Sequence, residues 1–465
     1  MEPESPEWWV QRLYRKLRAR RSNVGSGWRK VLGIDDLIAY YEGTPPNLPW
    51  LPEQAQDEFY RLLALTKSNY MGLVVDATAE RLQIEGFRIG DSAEADAQTW
   101  AIWQANRMDA DSDKAILDAL ITGYSYLLVA PNPADVSKPL IYVEHPSQAI
   151  VDYVPGTARR ERAAGLKVWE DDISNLLMAT LYLPGTVYKY QARIPQSGAG
   201  IEPRWERRAV AGEQWPADNP LKVVPLVELE NNPRTLRGGV SEIADVTSVQ
   251  DRICKTLADR LMTQDFGAFP QKWATGYPDK DGDGNATPRI DVGRDRMVST
   301  DVAETKFGQW DAADLDGYIK AKQEDVKDIA SRTRTPAQYL LGEMSNVNGE
   351  TLKASESGLV SKTRQRARSL GEDIEDAIRL VRQVAGIGAP GETIETIWRN
   401  PEFRTEGELV DALTKMATLG VPQEALWERW GASQVEIARW RAMADEQAAR
   451  DPLTEIARNA ASVGA

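Results

Sequence analysis

The chain has 465 residues, with 56 Lys and Arg against 70 Asp and Glu, a formal net charge of −14 and a pI near 4.9. Its single cysteine, Cys254, excludes an internal disulfide framework and a cysteine-based zinc site, and its single histidine, His145, excludes a His-rich metal site. No apolar run approaches the ~18–20 residues that span a bilayer, and the N-terminus lacks a signal-peptide core. We therefore expect a protein of a reducing cytoplasm, made of about three folding units. The acidic balance argues against tight DNA binding over the whole surface.

The first half of the chain predicts helices followed by an antiparallel β region. Aromatic and basic residues alternate between Trp8 and Arg21, which predicts an amphipathic helix with a cationic side. A solvated helix that docks through its tryptophans is favoured; the alternative is a nucleic-acid or membrane-surface segment. Further helices are predicted at 35–43, 53–80, 94–108 and 112–124, and strands at 82–89, 125–129, 139–143, 149–153, 163–170, 176–183, 186–194 and 204–209. This order indicates an α+β fold rather than a βαβ repeat.

Long amphipathic helices dominate the second half. The patterns predict a helix at 241–266 with Ser241 as its N-cap, a second at 311–333 and a third at about 350–385. A small β and loop insert separates the first two, and helical pieces broken at 420–422 and at Gly431 fill 405–460. The first two helices carry charge on more than half their circumference. Such helices can pack side by side in a ring, with apolar faces to neighbours and charged faces to a channel.

The acidic stretch 279–285 imitates the start of a calcium loop. Asp279, Asp281 and Asp283 occupy the first, third and fifth positions, but position twelve is Ile290 instead of the bidentate Glu that such a loop needs. An exposed acidic turn is therefore favoured over a calcium site.

The segment 420–441 has the spacing of a helix-turn-helix around Gly431. Its Arg439 and Arg441 come late in the second helix, whereas base-reading residues lie in the first turns, so ordinary helix packing is favoured. Gly238 and Gly239 precede a helix without the Gly-Lys-Ser/Thr of a phosphate loop. No nucleophile with its base stands out, so the sequence predicts neither an enzyme nor a cofactor.

Several stretches, in this order, together resemble bacteriophage portal proteins of long-tailed phages, especially the SPP1-like type of actinobacteriophages. They run from about Tyr40 to Pro422, and one departure is Gly349-Glu-Thr-Leu352, where relatives often have Ser-Ala-Glu-Ala. The resembling stretches are Asn69–Phe87, Trp103–Asn106 with Asp118–Val129, Asn231–Arg234 with Gly239–Ile243, and Ile329–Gly342 with Asn346 and Gly349–Glu356.

The resemblance implies a portal fold and a ring of about twelve subunits at one capsid vertex. It implies a wing at 1–240, stem helices at 241–266 and 311–333, a clip at 267–310, a tunnel loop at 334–349, a long wing helix and return at 350–400, and a helical crown at 401–465. The implied partners are further copies of the chain, the terminase large subunit, a head-completion adaptor, the major capsid or scaffold protein, and double-stranded DNA as cargo, without a membrane. The implied location is the virion, with assembly in the host cytoplasm.

Candidate site residues follow from these roles. For the DNA tunnel they are Asp316, Lys320, Glu324, Lys327, Gln338, Glu343, Asn346 and Asn348; for clip docking, Asp279, Asp281, Asp283 and Arg294; for subunit packing in the stem, Ile243, Ile253, Leu257, Leu261, Leu315 and Ile319. Three alternatives stay open: a head–tail connector ring, a DNA-binding regulator that uses 420–441, and a hydrolase that depends on His145.

Overall fold

A computed structural model describes residues 2–22, 31–44, 68–92, 94–157, 161–194, 202–235, 237–268, 272–276, 305–309, 314–342, 349–389, 391–402, 406–432 and 434–449. The helices of these residues are α1 Pro6–Arg21, α2 Ile34–Glu42, α3 Tyr70–Ala79, α4 Ala97–Ala105, α5 Met108–Thr122, α6 Thr247–Ala268, α7 Asp316–Thr333, α8 Ala337–Leu341, α9 Gly349–Ala385, α10 Glu406–Thr418, α11 Gln423–Trp430 and α12 Gln434–Ala449. The strands are β1 Ile84–Ile89, β2 Tyr124–Ala130, β3 Leu140–Glu144, β4 Ala149–Tyr153, β5 Arg162–Asp171, β6 Leu176–Tyr182, β7 Thr186–Arg193, β8 Glu206–Arg207, β9 Ala217–Asp218, β10 Leu226–Glu230, β11 Lys272–Thr275, β12 Lys306–Gln309 and β13 Ile394–Trp398.

The strand pairs among these residues are all antiparallel. A six-stranded sheet has the order β4-β5-β6-β7-β8, with β9 also paired to β7, and a three-stranded sheet has the order β10-β2-β3. Two smaller sheets pair β1 with β13 and β11 with β12. The chain thus combines helices with antiparallel sheets, which confirms the mixed helix-and-sheet class predicted from the sequence.

The larger hydrophobic core lies between α9 and the sheet strands β2, β10 and β13. Leu370, Ile374, Ile378 and Val381 recur every three or four residues on one face of α9 and are buried in this core. The first turns of α6 and the last turns of α7 pack against the same core, and so do α3 and α5. Each such side chain contributes about 1.5–3 kcal/mol when it is fully buried, so this core holds the long helices in place.

The second core lies between α1 and the six-stranded sheet. The helix begins at Pro6 because the Ser5 hydroxyl accepts a hydrogen bond from the Trp8 amide and Pro suits the first helical position. Its buried anchors are Val10, Leu13 and Leu17, while Trp9 is only partly buried beside them. The helix therefore docks in part through Trp9, as predicted, but its fully buried anchors are aliphatic residues at helical spacing.

The cationic side of α1 is occupied by carboxylates of the sheets. Arg12 and Lys16 lie 3.0 Å and 2.7 Å from the same Asp152 oxygen, and Arg20 lies 2.9 Å from Glu228. These partners are more than a hundred residues away in sequence. The basic residues of α1 therefore fix the helix to its own chain, which disfavours the alternative of a nucleic-acid or membrane-surface segment.

The paired glycines before α6 have a packing reason. Helix α5 ends at Gly123 in the left-handed region, with φ of 93°, and a Cβ on Gly239 would lie 1.8 Å from the Gly123 carbonyl oxygen. A Cβ on Gly238 would lie 2.4 Å from the Tyr124 hydroxyl. Gly239 is therefore needed because two backbone segments cross closely here. This packing accounts for the glycine pair without a phosphate ligand.

Two differences from the sequence prediction lie at the core end of the α6 and α7 pair. Helix α6 begins at Thr247 because residues 241–246 form turns, and the Ser241 hydroxyl accepts from the Ile243 amide at 3.2 Å instead of capping the helix. A short helix, Ala337–Leu341, lies inside the predicted loop at 334–349. The predicted breaks at Gly420 and Gly431 are confirmed, and the first part of the predicted helix at 53–80 lies outside the described residues.

Candidate functional site: an exposed helical hairpin and its buried base

Helices α6 and α7 form an antiparallel hairpin. Three contacts establish the direction: Arg332 donates to the Asp245 carbonyl at 3.1 Å, Arg252 lies 2.7 Å from Asp325, and the Thr263 hydroxyl donates to the Tyr318 hydroxyl at 3.2 Å. Residues early in α6 thus face residues late in α7. The hairpin therefore has a proximal half at the core and a distal half toward the insert that joins α6 to α7.

The distal half of this hairpin projects from the protein. Among the described side chains, those at 259–264 and 314–325 include none that is buried. Met262 is 38% exposed and Ile319 is 43% exposed, while the proximal half buries Ile253, Leu257, Val326 and Ile329. The described residues of the distal half therefore lack a buried core. Their apolar side chains expose surface that a further partner can cover.

The tunnel candidates on α7 lie along this exposed surface. Asp316, Lys320, Glu324 and Lys327 are exposed. Glu324 and Lys327 form an ion pair at 2.8 Å, so the strip mixes both signs of charge. The structure thus brings these four residues together along one helix.

The remaining tunnel candidates and the clip candidates have different outcomes. Gln338 lies in α8, where its amide nitrogen donates to the Ser355 hydroxyl at 2.9 Å. The other candidates lie outside the described residues, namely Glu343, Asn346, Asn348, Asp279, Asp281, Asp283 and Arg294, and so does the calcium-like stretch.

Three of the six subunit-packing candidates need correction. Ile243, Ile253 and Leu257 are at most 3% exposed and belong to the core of their own chain. They leave almost no surface for a neighbouring subunit. Leu261 and Leu315 are partly buried and Ile319 is exposed, so these three keep surface that a neighbour could reach.

A buried ionic cluster lies at the base of the hairpin. The Glu242 carboxylate accepts from Arg366 at 2.5 Å and from Asn231 at 3.0 Å, and it lies 3.7 Å from the Lys362 ammonium. Burial alone would raise the pKa of Glu242, but Lys362 and Arg366 outweigh it and hold that pKa below its usual value. Burial lowers the pKa of Lys362, and the Glu242 charge opposes this only in part.

Sequence reasoning missed this cluster. Glu242 and Arg366 lie 124 residues apart, so no local spacing links them. A weaker signal is present in the sequence. Glu242, Lys362 and Arg366 stand at positions where the helical pattern faces the core, and charged side chains are rarely buried there unless they are paired.

A second cluster anchors α8. Arg81 donates to the Tyr339 hydroxyl at 2.9 Å, and that hydroxyl donates to Glu356 at 2.5 Å. Arg81 also donates to the Pro401 carbonyl at 2.8 Å. The turn after α7 is thereby tied to α9 and to the strand region of β13.

His145 closes a local turn. Its Nδ1 accepts from the Ser147 amide at 3.2 Å and lies 2.7 Å from the Ser147 hydroxyl. Burial raises the pKa of nearby Asp118, and His145 lowers it in part. A histidine that caps the turn two residues ahead has a structural role, which disfavours the hydrolase alternative. In the described part of the chain, no group of three or more acidic, His or Cys side chains is placed to hold a metal ion.

Of the two arginines that come late in the second helix, Arg439 is exposed and Arg441 is held by carboxylates. Arg441 contacts Glu424 at 2.6 Å and Glu94 at 2.9 Å, and Trp427 packs edge-on against Trp440 with ring centroids 5.4 Å apart. A guanidinium held by two carboxylates is not available for base edges, which disfavours the regulator alternative. No described helix combines the length and apolarity needed to cross a membrane.

Comparisons with known proteins identify two phage relatives and a solved chain of lower similarity. The chain is 30% identical over 404 residues to the portal protein of Mycobacterium phage D29, covering 83% of this chain and 80% of that protein. It is 30% identical over 411 residues to the portal protein of Mycobacterium phage L5, covering 84% and 81%. A solved chain from the neck of an empty GTA particle, computed with C6 symmetry, is 14% identical with a TM-score of 0.44, covering 85% of this chain and 98% of that one.

The family described as phage portal protein, SPP1 Gp6-like, matches residues 28–450, which is most of the chain. The family match extends from α2 to α12 and so includes the sheets and the α6–α7 hairpin. The chain belongs to this family of phage portal proteins.

Proposed function

We propose that the chain assembles into a closed ring at one capsid vertex, through which double-stranded DNA is packaged and later ejected. The observation that carries the proposal, beside family membership, is the α6–α7 hairpin. Among the described residues, no core covers the apolar side chains of its distal half, and a mixed-charge strip runs along α7. Hairpins side by side would cover the apolar surface and present the strip to a channel.

The parts of the ring are assigned as the resemblance to portal proteins implies. In this proposal α6 and α7 form the stem, the insert at 267–310 the clip, and the segment at 334–349 the tunnel loop. The residues before 240 form a wing, α9 is its long helix, and α10–α12 form a crown. The anchoring of α8 by Arg81 and Glu356 supports a fixed base for the tunnel loop.

The charge of the chain suits a conduit. With −14 on each chain, a ring would carry a negative field that disfavours tight binding of another polyanion. Few cationic contacts also mean little counterion release, which is the main source of nonspecific DNA affinity. DNA would therefore pass through as cargo and would not be held as a ligand, with Lys320 and Lys327 steering the duplex.

The partners are assigned by the same proposal. The clip docks the terminase large subunit during packaging and a head-completion adaptor afterwards, and the wing contacts the major capsid or scaffold protein. The ATPase lies on the terminase, so the purified chain should not hydrolyse ATP. The ring is assembled in the host cytoplasm and stays in the virion.

A nonsense mutation tests this function in the phage that encodes the chain. A stop codon at Trp9 should give capsids that contain no DNA and lack infectivity, and supply of the full chain from a plasmid should restore both. DNA-filled, infectious particles without the protein would contradict the proposal.

A further inference from the structure

Lys362 links α9 to the end of the hairpin. Its ammonium donates to the Thr333 carbonyl at 2.9 Å, and its side chain is only 4% exposed. Thr333 is the last residue of α7, so the acceptor is the carbonyl end of the second hairpin helix. A buried cation on one helix thus holds the end of another.

The carboxylate on the other side of Lys362 is fixed to the body of the protein. Glu242 donates its backbone amide to the Leu120 carbonyl at 2.9 Å, and its side chain accepts from Asn231 and Arg366. Asn231 in turn donates its backbone amide to the Gly123 carbonyl at 3.0 Å. Glu242 is therefore a fixed point to which the end of α7 is connected through Lys362.

The energetics of this connection favour one arrangement. Arg366 makes the short contact with Glu242, and Lys362 lies 3.7 Å away, so the Thr333 carbonyl is its hydrogen-bond acceptor in this cluster. The negative end of the α7 dipole adds to that attraction. If α7 rotated away, the ammonium would stay buried without its acceptor, which is strongly unfavourable.

We propose that Lys362 is a positioning residue that sets the angle of the α6–α7 hairpin against α9. The geometry belongs to a single chain; its consequence rests on the proposed function, because in a ring this angle would set the width of the channel. Without Lys362, the hairpin should sample more than one angle about its base.

Distance measurements between two spin labels test this proposal. One label is placed on the exposed distal part of α7 through Lys320→Cys and the other on the β5–β6 turn through Ile173→Cys, in a full-length chain with Cys254→Ala. The labelled chain is diluted into unlabelled chain so that one pair is seen per assembly. We expect one narrow distance distribution in the labelled chain that keeps Lys362. In the Lys362→Met variant we expect a distribution that is at least twofold broader or has two peaks.

Matched variants make the result specific. Arg364→Met changes an exposed cation on the same helix and should leave the distribution narrow. Lys362→Arg keeps a cation at position 362 and should also give a narrow distribution. An unchanged narrow distribution in folded Lys362→Met would overturn the proposal. If Lys362→Met does not fold, Lys362→Gln, whose shorter neutral side chain also lacks the ammonium that binds the Thr333 carbonyl, replaces it, and an unchanged distribution there would overturn the proposal equally. Failure of this test would leave the DNA conduit untouched, because the angle is measured within one chain.

Discussion

Arg20 joins the N-terminal helix to the sheets through buried groups. Its guanidinium donates to the Tyr126 hydroxyl at 2.5 Å and to Glu228 at 2.9 Å, and it lies over the Tyr124 ring at 4.1 Å. The Glu228 side chain has no exposed surface. Loss of the cation therefore leaves a buried carboxylate without its counter-charge.

Arg20→Met should lower the free energy of unfolding by about 3 kcal/mol, because breaking a buried pair leaves an uncompensated charge. Arg18→Met, which changes an exposed cation two residues earlier on α1, should stay within about 0.5 kcal/mol. Urea unfolding followed by tryptophan fluorescence measures both. Equal midpoints for the two variants would mean that the Arg20–Glu228 pair does not stabilise the fold.

Asp373 gives a pH dependence of the opposite sign to that of an ion pair. Its carboxylate accepts from the Glu230 amide at 2.8 Å. Burial, helped by the charges of Glu230, Glu228 and Asp376, raises its pKa well above the usual value despite that hydrogen bond. The native state therefore keeps a proton that the unfolded chain releases near pH 4.

The stabilisation linked to this proton is complete below pH 4 and is lost as the pH rises toward the native pKa of Asp373. Asp373→Asn mimics the protonated form, so the variant should gain stability relative to the natural chain between pH 5 and pH 8. Urea midpoints at both pH values measure this, with Asp172→Asn at an exposed position as the control. A difference between Asp373→Asn and the natural chain that does not change with pH would contradict the raised pKa.

At the scale of elements, the crossing of Gly123 and Gly239 joins the end of α5 to the segment before α6. A methyl group at 239 would lie 1.8 Å from a backbone oxygen, so the backbone must move. Gly239→Ala should therefore destabilise the protein by about 1–3 kcal/mol. Gly185→Ala, where a Cβ would meet nothing within 4 Å, is the control. If the midpoint of thermal unfolding fell equally in both variants, the close crossing would not be the cause of the destabilisation.

The helices and strands could largely be predicted because their periodicity is local. The apolar face of α6 was predicted through Ile253 and Leu257, but a period shows that a face is buried and not what buries it. Those two side chains pack in their own chain instead of between subunits. The predicted start of α6 at Ser241 was wrong, because a serine can cap a turn as well as a helix.

The candidate site was predictable only in part for a related reason. Helix spacing places Lys320, Glu324 and Lys327 on the charged side of α7, and these side chains and Asp316 are exposed; their place in a tunnel stays a prediction. The Glu242–Arg366 contact joins residues 124 apart. Such a pair depends on the tertiary arrangement of three elements, which no local pattern contains.

At the scale of the whole molecule, the exposed apolar residues of the hairpin predict how the ring is held together. Met262→Asp with Ile319→Asp places charge on surface that is 38% and 43% exposed in the single chain, so the chain should stay folded. A neighbouring hairpin would have to bury those charges, which is unfavourable. We expect the variant to lose ring assembly in mass photometry. Ile173→Asp, at a side chain that is 98% exposed on a turn, should assemble normally, and rings formed equally by both variants would place the subunit contact elsewhere.

The central claim is that copies of this chain surround a channel for DNA. Negative-stain imaging of the purified full-length protein, over a range of protein and salt concentrations, tests it most directly. We expect closed rings with a central channel wide enough for duplex DNA, lined by the α6–α7 hairpins. A compact monomer under every condition, or an assembly without a channel, would contradict it.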